Sequence, residues 1–164
     1  MPHTPQNDLA PFANGSRTYC EHTFSCRVPA DMAAVDRLCE QASDFVSRFY
    51  RSEEMSVNAE LLLAEYLVNV ITHGLNDCEK LNEYIDVKLC AYEAELKVIV
   101  RDHGREWDGL FMSQEKAEQS LDDLNERMIA DGRGIPIISC IASHISRHRC
   151  CGLNESIFII PRKP

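Results

Sequence analysis

Residues 65–74 read EYLVNVITHG, and the run Leu61-Leu62-Leu63-Ala64 precedes them. So apolar a stretch carries a Glu, an Asn and a His at steps of four. A helix turns about 100° per residue, so Glu65, Asn69 and His73 stack into one stripe about 80° wide. Leu61, Leu62, Leu63, Ala64, Leu67, Val68, Val70 and Ile71 surround it. A helix apolar on nearly all sides is a buried one. Burying an unpartnered carboxylate costs several kcal/mol, so such a stripe faces either a partner or a wet cavity. Taken alone, the stretch also fits an amphipathic helix whose three polar residues meet solvent.

The chain has 164 residues, of which 45% are hydrophobic, enough for one domain with its own core. Its formal net charge is −9, which argues against a nucleic-acid backbone or an anionic membrane as the main partner. No apolar stretch approaches the roughly 20 residues of a membrane span, and no basic-then-apolar leader opens the chain. A cytoplasmic protein is expected. The eight cysteines, at 20, 26, 39, 78, 90, 140, 150 and 151, are scattered. They read as reduced thiols, several at apolar positions where Cys acts as a small hydrophobe. HISRHRCC (144–151) offers two His and two Cys but lacks the spaced pairs of a zinc site. It reads as a helix end passing into a strand.

Residues 1–17 are rich in Pro, Asn, Gly and Ser and read as a flexible tail, with one domain over 18–164. From Tyr19 to Val28, Cys20, Phe24, Cys26 and Val28 alternate with polar residues, which predicts a half-buried strand. A helix follows to about Arg51, with Asp31 as its N-cap. The helix bearing the stripe opens at Ser56 and closes at Gly74. Ile85, Val87, Leu89 and Ala91 mark one strand, and Val98 and Val100, up to Asp102, mark the next. Adjacent alternating strands predict an antiparallel hairpin. Residues 105–131 are polar with a short helical pattern, Leu121, Leu124 and Met128. Gly132 to Ile145 reads as a Gly-rich start feeding an apolar helix. Ser156 to Ile160 reads as a final strand. The order predicts an α/β two-layer sandwich, a mostly antiparallel mixed sheet with helices on one face.

Two further stretches carry chemistry. In VIVRDHGREWD (98–108) a strand ends in Asp102, followed by His103 and Gly104. An acid at the mouth of a strand accepts hydrogen bonds from a ligand amino group, and Gly permits close approach. On its own it is also an ordinary turn. In DGRGIPIISCI (131–141) Gly132 and Gly134 flank Arg133 before an apolar helix, and Pro136 suits a first helical turn. Free backbone N–H groups at a helix start form an anion site, though a lone Gly-x-Gly is a weak signal.

In this order the three boxes resemble the ATP-binding fold of gyrase, histidine kinases and MutL, the GHKL superfamily (the Bergerat fold). Within it the chain looks like the anti-sigma-factor serine kinases, the RsbW and SpoIIAB type, over about Tyr19 to Arg162. LLLAEYLVNVITHG is similar to that family's Asn box, RDHGREWD to its Asp-x-Gly box and GRGIPIISCIASHI to its glycine box. The resemblance implies ATP and Mg²⁺ as cofactors. Asn69 would hold the Mg²⁺, Asp102 would accept from the adenine amino group and Gly104 would let the base approach. Gly132, Arg133, Gly134 and Ile135 would cradle phosphates. Glu65 would orient or deprotonate the attacking hydroxyl. His73, at the end of the stripe, would make a structural hydrogen bond or meet a phosphate.

Three departures stand out. Glu106 occupies a position that is often Gly in the superfamily. Asn154-Glu155 stands where Gly-Thr is usual before the last strand. Phe111 to Asp131, the lid, holds six acidic and two basic residues, a poor charge over a triphosphate. Arg105, Lys116, Arg127 and Arg133, two of them flanking the segment, are the available cations.

The expected function is a protein-serine kinase of a partner-switching system. It would phosphorylate a STAS-domain antagonist, sequester a sigma factor or another target, and pair as a homodimer. The alternative is a nucleotide-dependent binding module without significant transfer. A histidine-kinase fragment fits less well, because one strand and one helix before the Asn box leave no place for a dimerisation hairpin.

Overall fold

A computed structural model describes residues 20–75, 83–106, 111–127 and 132–163. The tail expected over residues 1–17 lies outside them. Strand β1 (His22–Pro29) alternates as its sequence predicts, with Phe24, Cys26 and Val28 turned inward. Helix α1 (Met32–Tyr50) starts at Asp31, whose carboxylate accepts from the Ala34 N–H at 2.8 Å. Arg51 then takes a left-handed conformation, φ 51°, and turns the chain directly into α2 (Glu53–Asn69).

The N-cap of α2 is Ser52, which accepts from the Met55 N–H at 3.3 Å. Ser56, the expected opener, lies one turn inside and donates its hydroxyl to the Ser52 carbonyl. The helix does close at Gly74, but not as an α-helix. From Val70 to Gly74 it widens into a π-helical turn, in which Leu75 N–H reaches back five residues to the Val70 carbonyl.

Strands β2 (Tyr84–Ala91) and β3 (Glu95–Asp102) form the expected hairpin, with Ile85, Val87, Leu89, Val98 and Val100 in the core. Helix α3 (Gln114–Glu126) carries the polar segment. Ala117 is its buried anchor, Leu121 and Leu124 are half-buried, and Met128 lies outside the described residues. Helix α4 (Gly134–Ile141) is shorter than expected, because Ala142 already has an extended backbone. Residues expected to finish that helix and pass into a strand instead form β4 (His144–Cys150), paired with β5 (Leu153–Pro161). Ile145 turns inward and packs on the core, while Ser143 N–H donates to the Ile159 carbonyl. These cross-strand bonds are what overrides the helical spacing.

The sheet order is β1-β2-β3-β5-β4, and every pairing among the described residues is antiparallel. Helix α1 packs on β1 and β2, α2 packs on α1, β5 and α4, and α3 covers α4. Thus α2 is enclosed on several sides. Leu62, Leu63, Tyr66 and Leu67 are completely buried, as an all-round apolar helix requires. The opposite sheet face is polar, with cross-strand ion pairs Arg27–Asp86 and Arg101–Glu155. Among the described residues, no helix is long and apolar enough to cross a membrane.

Tyr50, at the end of α1, ties the β2–β3 turn to the helix layer. Its hydroxyl lies against the Tyr92 carbonyl at 2.8 Å and the Glu95 carbonyl. Burial pushes this phenol up to about 12. Because the folded state favours the neutral form, its contribution is full below pH 10, the ordinary tyrosine value, and is lost as pH rises to about 12. Tyr50→Phe should cost about 1–2 kcal/mol at neutral pH, a Tm drop of about 2–8 °C. The gap to the unmodified protein should narrow above pH 10, and thermal melts across pH 7–11 check both parts.

Candidate functional site

The three boxes meet where α2, the end of β3 and the start of α4 converge. Glu65 and Asn69 are half-buried on the side of α2 that faces α4. Gly134, the first residue of α4, presses against them. A Cβ added there would sit 2.8 Å from Glu65 Oε2 and 3.3 Å from Asn69 Nδ2. A side chain at this position would have to displace the end of Glu65. Among the described residues Asn69 Nδ2 is buried and has no hydrogen-bond partner, an orphaned polar group of the kind that a ligand satisfies. Arg133 precedes Gly134 as the N-cap residue, and Gly132 holds φ 81°, where a side chain would be strained. Ile135 is half-buried in the first turn of α4, and Pro136 is buried beside it. His73 sits in the π turn and is exposed. The wider turn breaks the four-residue spacing that aligned it with Glu65 and Asn69.

The second box is joined to the first through backbone. Arg105 N–H donates to the Gly74 carbonyl at 2.6 Å. Gly104 packs so closely on that carbonyl that a Cβ would lie 2.8 Å from its oxygen. Asp102 is only 3% exposed, at the last position of β3. Its Oδ1 accepts from Gly104 N–H at 2.9 Å and from Asn154 Nδ2 at 2.8 Å. Asn154, noted in the sequence only as a departure, is the residue opposite Asp102 in the β3–β5 register and is equally buried. Arg149 of β4 donates to Asn154 Oδ1 and to the Gly104 carbonyl. Strand parity, counted inward from Phe158, is the signal that would have brought both residues to this side of the sheet.

Behind these boxes the Tyr66 and Ser156 hydroxyls share a buried hydrogen bond, and burial raises the Tyr66 phenol above its ordinary value. Helix α3 exposes Glu115, Glu118, Asp122, Asp123 and Glu126, and Lys116 in its first turn and Arg127 at its C-cap are exposed as well. Its N-terminal approach is held by Met112 N–H donating to Ser139 of α4 at 3.3 Å. Two surface hollows lie away from the boxes. One, about 420 Å³, runs over the polar sheet face beside Arg27, Asp86 and Lys88, and one of about 560 Å³ is lined by His22, Phe45 and Phe49.

An antiparallel sheet under a helical layer carries a polar stripe, a strand-end acid and a glycine turn at one edge. The chain belongs to the histidine kinase-like ATPase domain family, whose model matches residues 28–156. ATP is the ligand this family implies. Among curated proteins, no sequence matches the chain. Several solved structures share its fold, among them these two. One contains the RsbU and RsbW domains of a Mycobacterium tuberculosis protein, at TM-score 0.54 and 10% identity over 85% of this chain. This chain spans 32% of that one's length. The other is the SiaB-SiaC complex from Pseudomonas aeruginosa, also at TM-score 0.54 and 10% identity, covering 84% of this chain and 89% of that one.

Proposed function

We propose that this domain is an ATP-dependent protein-serine kinase of a partner-switching system, acting on a STAS-domain antagonist. The observation that carries the proposal is the contact of Gly134 with Glu65 and the orphaned Asn69 amide. It brings a carboxylate, a hard oxygen-bearing ligand and a glycine turn to one point. The residues suit a nucleotide with its metal: the orphaned Nδ2 of Asn69 is a donor that a phosphate oxygen would meet, and the oxygen of the same amide is the end that would meet a cation. Asp102 and Gly104 would receive the base, and Gly132, Arg133, Gly134 and Ile135 the phosphates. Asn69 would hold Mg²⁺ through its side-chain oxygen. His73, exposed one turn on, is assigned a phosphate contact or a structural bond. ATP supplies the phosphoryl group that is transferred. The chain itself aims the incoming Ser hydroxyl and accepts its proton on Glu65.

A protein partner is supported by the SiaB-SiaC structure, in which a chain of this fold occurs in a complex. A sigma factor or similar target, bound by a homodimer of this domain in the cytoplasm, completes the proposed switch. The exposed acids of α3 favour a second reading, a nucleotide-dependent binding module without significant transfer. Incubation with radiolabelled ATP and the STAS proteins encoded by neighbouring genes separates the two. Label on a partner serine supports the kinase. Tight partner binding without label supports the module.

Asn69→Ala should weaken ATP binding about tenfold in the presence of Mg²⁺, the scale of one lost charge-assisted contact. With a chelator present, affinity should stay within about twofold of the unmodified protein. Calorimetric titration under both conditions is the check. An equal loss in both would show that Asn69 acts on something other than the metal.

A further inference from the structure

Three strands each place one side chain on a single line at the adenine end of the proposed site. Asp102 ends β3, Asn154 lies directly opposite it on β5, and Arg149 lies directly opposite Asn154 on β4. Asn154 Nδ2 donates to Asp102 Oδ1 at 2.8 Å and to the Gly104 carbonyl at 3.0 Å. Arg149 Nη1 donates to the Gly104 carbonyl at 2.7 Å and to Asn154 Oδ1. Asp102 and Asn154 are each 3% exposed, so the line runs inward from Arg149.

The chemistry of an amide gives this line a direction. The Asn side chain has a donor end and an acceptor end, and either end fits the same space. A guanidinium has only donors. Arg149 therefore requires the oxygen of Asn154 on its side, which turns the nitrogen toward Asp102. With the amide reversed, its oxygen would face the carboxylate, acceptor against acceptor. Among the described residues, both hydrogen bonds to the Asp102 side chain fall on Oδ1, which leaves Oδ2 for a ligand.

We infer that Arg149, acting through Asn154, is a positioning residue that holds Asp102 as a hydrogen-bond acceptor and so selects a 6-amino purine over a 6-oxo purine. The inference rests on the assignment of Asp102 to the base. Adenine offers an N–H donor at position 6, where hypoxanthine offers a carbonyl acceptor. A carboxylate oxygen held in place favours the first and repels the second. The phosphates of the two nucleotides are identical, so their comparison isolates the base.

The test is calorimetric titration of the full chain with ADP and with inosine diphosphate, alongside a melting curve for each variant. The unmodified protein should prefer ADP by about tenfold or more, the scale of one hydrogen bond gained and one clash avoided. Arg149→Ala should bring the two affinities within about threefold by weakening ADP alone. Arg149→Lys, which keeps a donor for Asn154, should recover part of the preference. Asn154→Leu removes the amide and should abolish the preference as Arg149→Ala does, which keeps the test open if Arg149→Ala does not fold. A folded Arg149→Ala protein with an unchanged ADP preference overturns the inference. So does an equal loss of both nucleotides, because Arg149 would then only hold the Gly104 loop. If Asp102→Asn leaves the preference intact, or the unmodified protein binds neither nucleotide, the failure lies in the base assignment itself and the inference falls with it.

Discussion

Glu65→Gln should lower phosphoryl transfer to a partner serine by about 10²-fold or more, while ADP affinity stays within a few-fold. The substitution keeps the shape and most of the hydrogen-bonding capacity and removes the negative charge. Glu65 stands one turn before Asn69 on α2, on the side where α4 begins, away from Asp102 and the end proposed for the base. A carboxylate there can accept a proton from a hydroxyl, or aim it, and phosphoryl transfer depends chiefly on such placement and on charge. The structure also supplies a rival role. Glu65 Oε2 lies beside the first residue of α4, and the N-cap position, Arg133, makes no side-chain capping bond. A negative charge at a helix start is worth about 0.3–1 kcal/mol. If that were its whole purpose, Glu65→Gln would lower the Tm slightly and leave the rate per folded molecule unchanged. Melting temperature, ADP affinity and transfer rate measured on one preparation therefore decide between an electrostatic anchor and a base. Normal transfer by a folded, nucleotide-binding variant would remove Glu65 from the chemistry.

Whatever depended on neighbours in sequence was legible without the structure. Alternation in residues 85–102 gave the β2–β3 hairpin, and Asp31 announced the start of α1 through a bond three residues away. What depended on distant pairing was not. IPIISCIASHI continues a helical spacing through Ile145, yet residues 144–150 form β4 because β5 offers them a ladder. The sequence places a passage from helix to strand within 144–151, and the ladder moves it back to His144. Ser52 and Ser56 are both credible helix openers, and the choice falls to Ser52 because Arg51 turns left-handed to fold α1 against α2. The widening of α2 at Val70 is silent in the sequence. It is where the chain must end beneath the loop after β3, with Gly74 accepting from Arg105. The site divides along the same line. Glu65, Asn69, Asp102 and Gly134 announce themselves by spacing within a box. Asn154 and Arg149 join the site only through strand register, which no single segment contains.

Gly104→Ala should be the most damaging of the glycine substitutions, because of what its new methyl group would meet. A Cβ at Gly104 would lie 2.8 Å from the Gly74 carbonyl oxygen and 2.9 Å from its carbon. Both are backbone atoms, and the Arg105 N–H holds that same carbonyl at 2.6 Å. Neither can move aside as the end of a side chain does. The loop must lift, and with it go the Gly104 N–H bond to Asp102 and the Gly104 carbonyl that Asn154 and Arg149 share. Overpacking of this kind costs about 1–3 kcal/mol, a Tm drop of about 2–12 °C at this chain length. ADP affinity should fall at least about tenfold, since the proposed base acceptor loses one of its two supports. Gly134→Ala provides the contrast. Its Cβ would meet chiefly the carboxylate end of Glu65, a flexible group that can swing away. That variant should melt within a few degrees of the unmodified protein and bind ADP, while transfer falls because Glu65 has been displaced. Thermal melts and calorimetry on both variants test the pair together. A Gly104→Ala protein with unmodified stability and ADP affinity would mean that the loop after β3 does not abut Gly74 in solution, and the joint between the first two boxes would have to be drawn elsewhere.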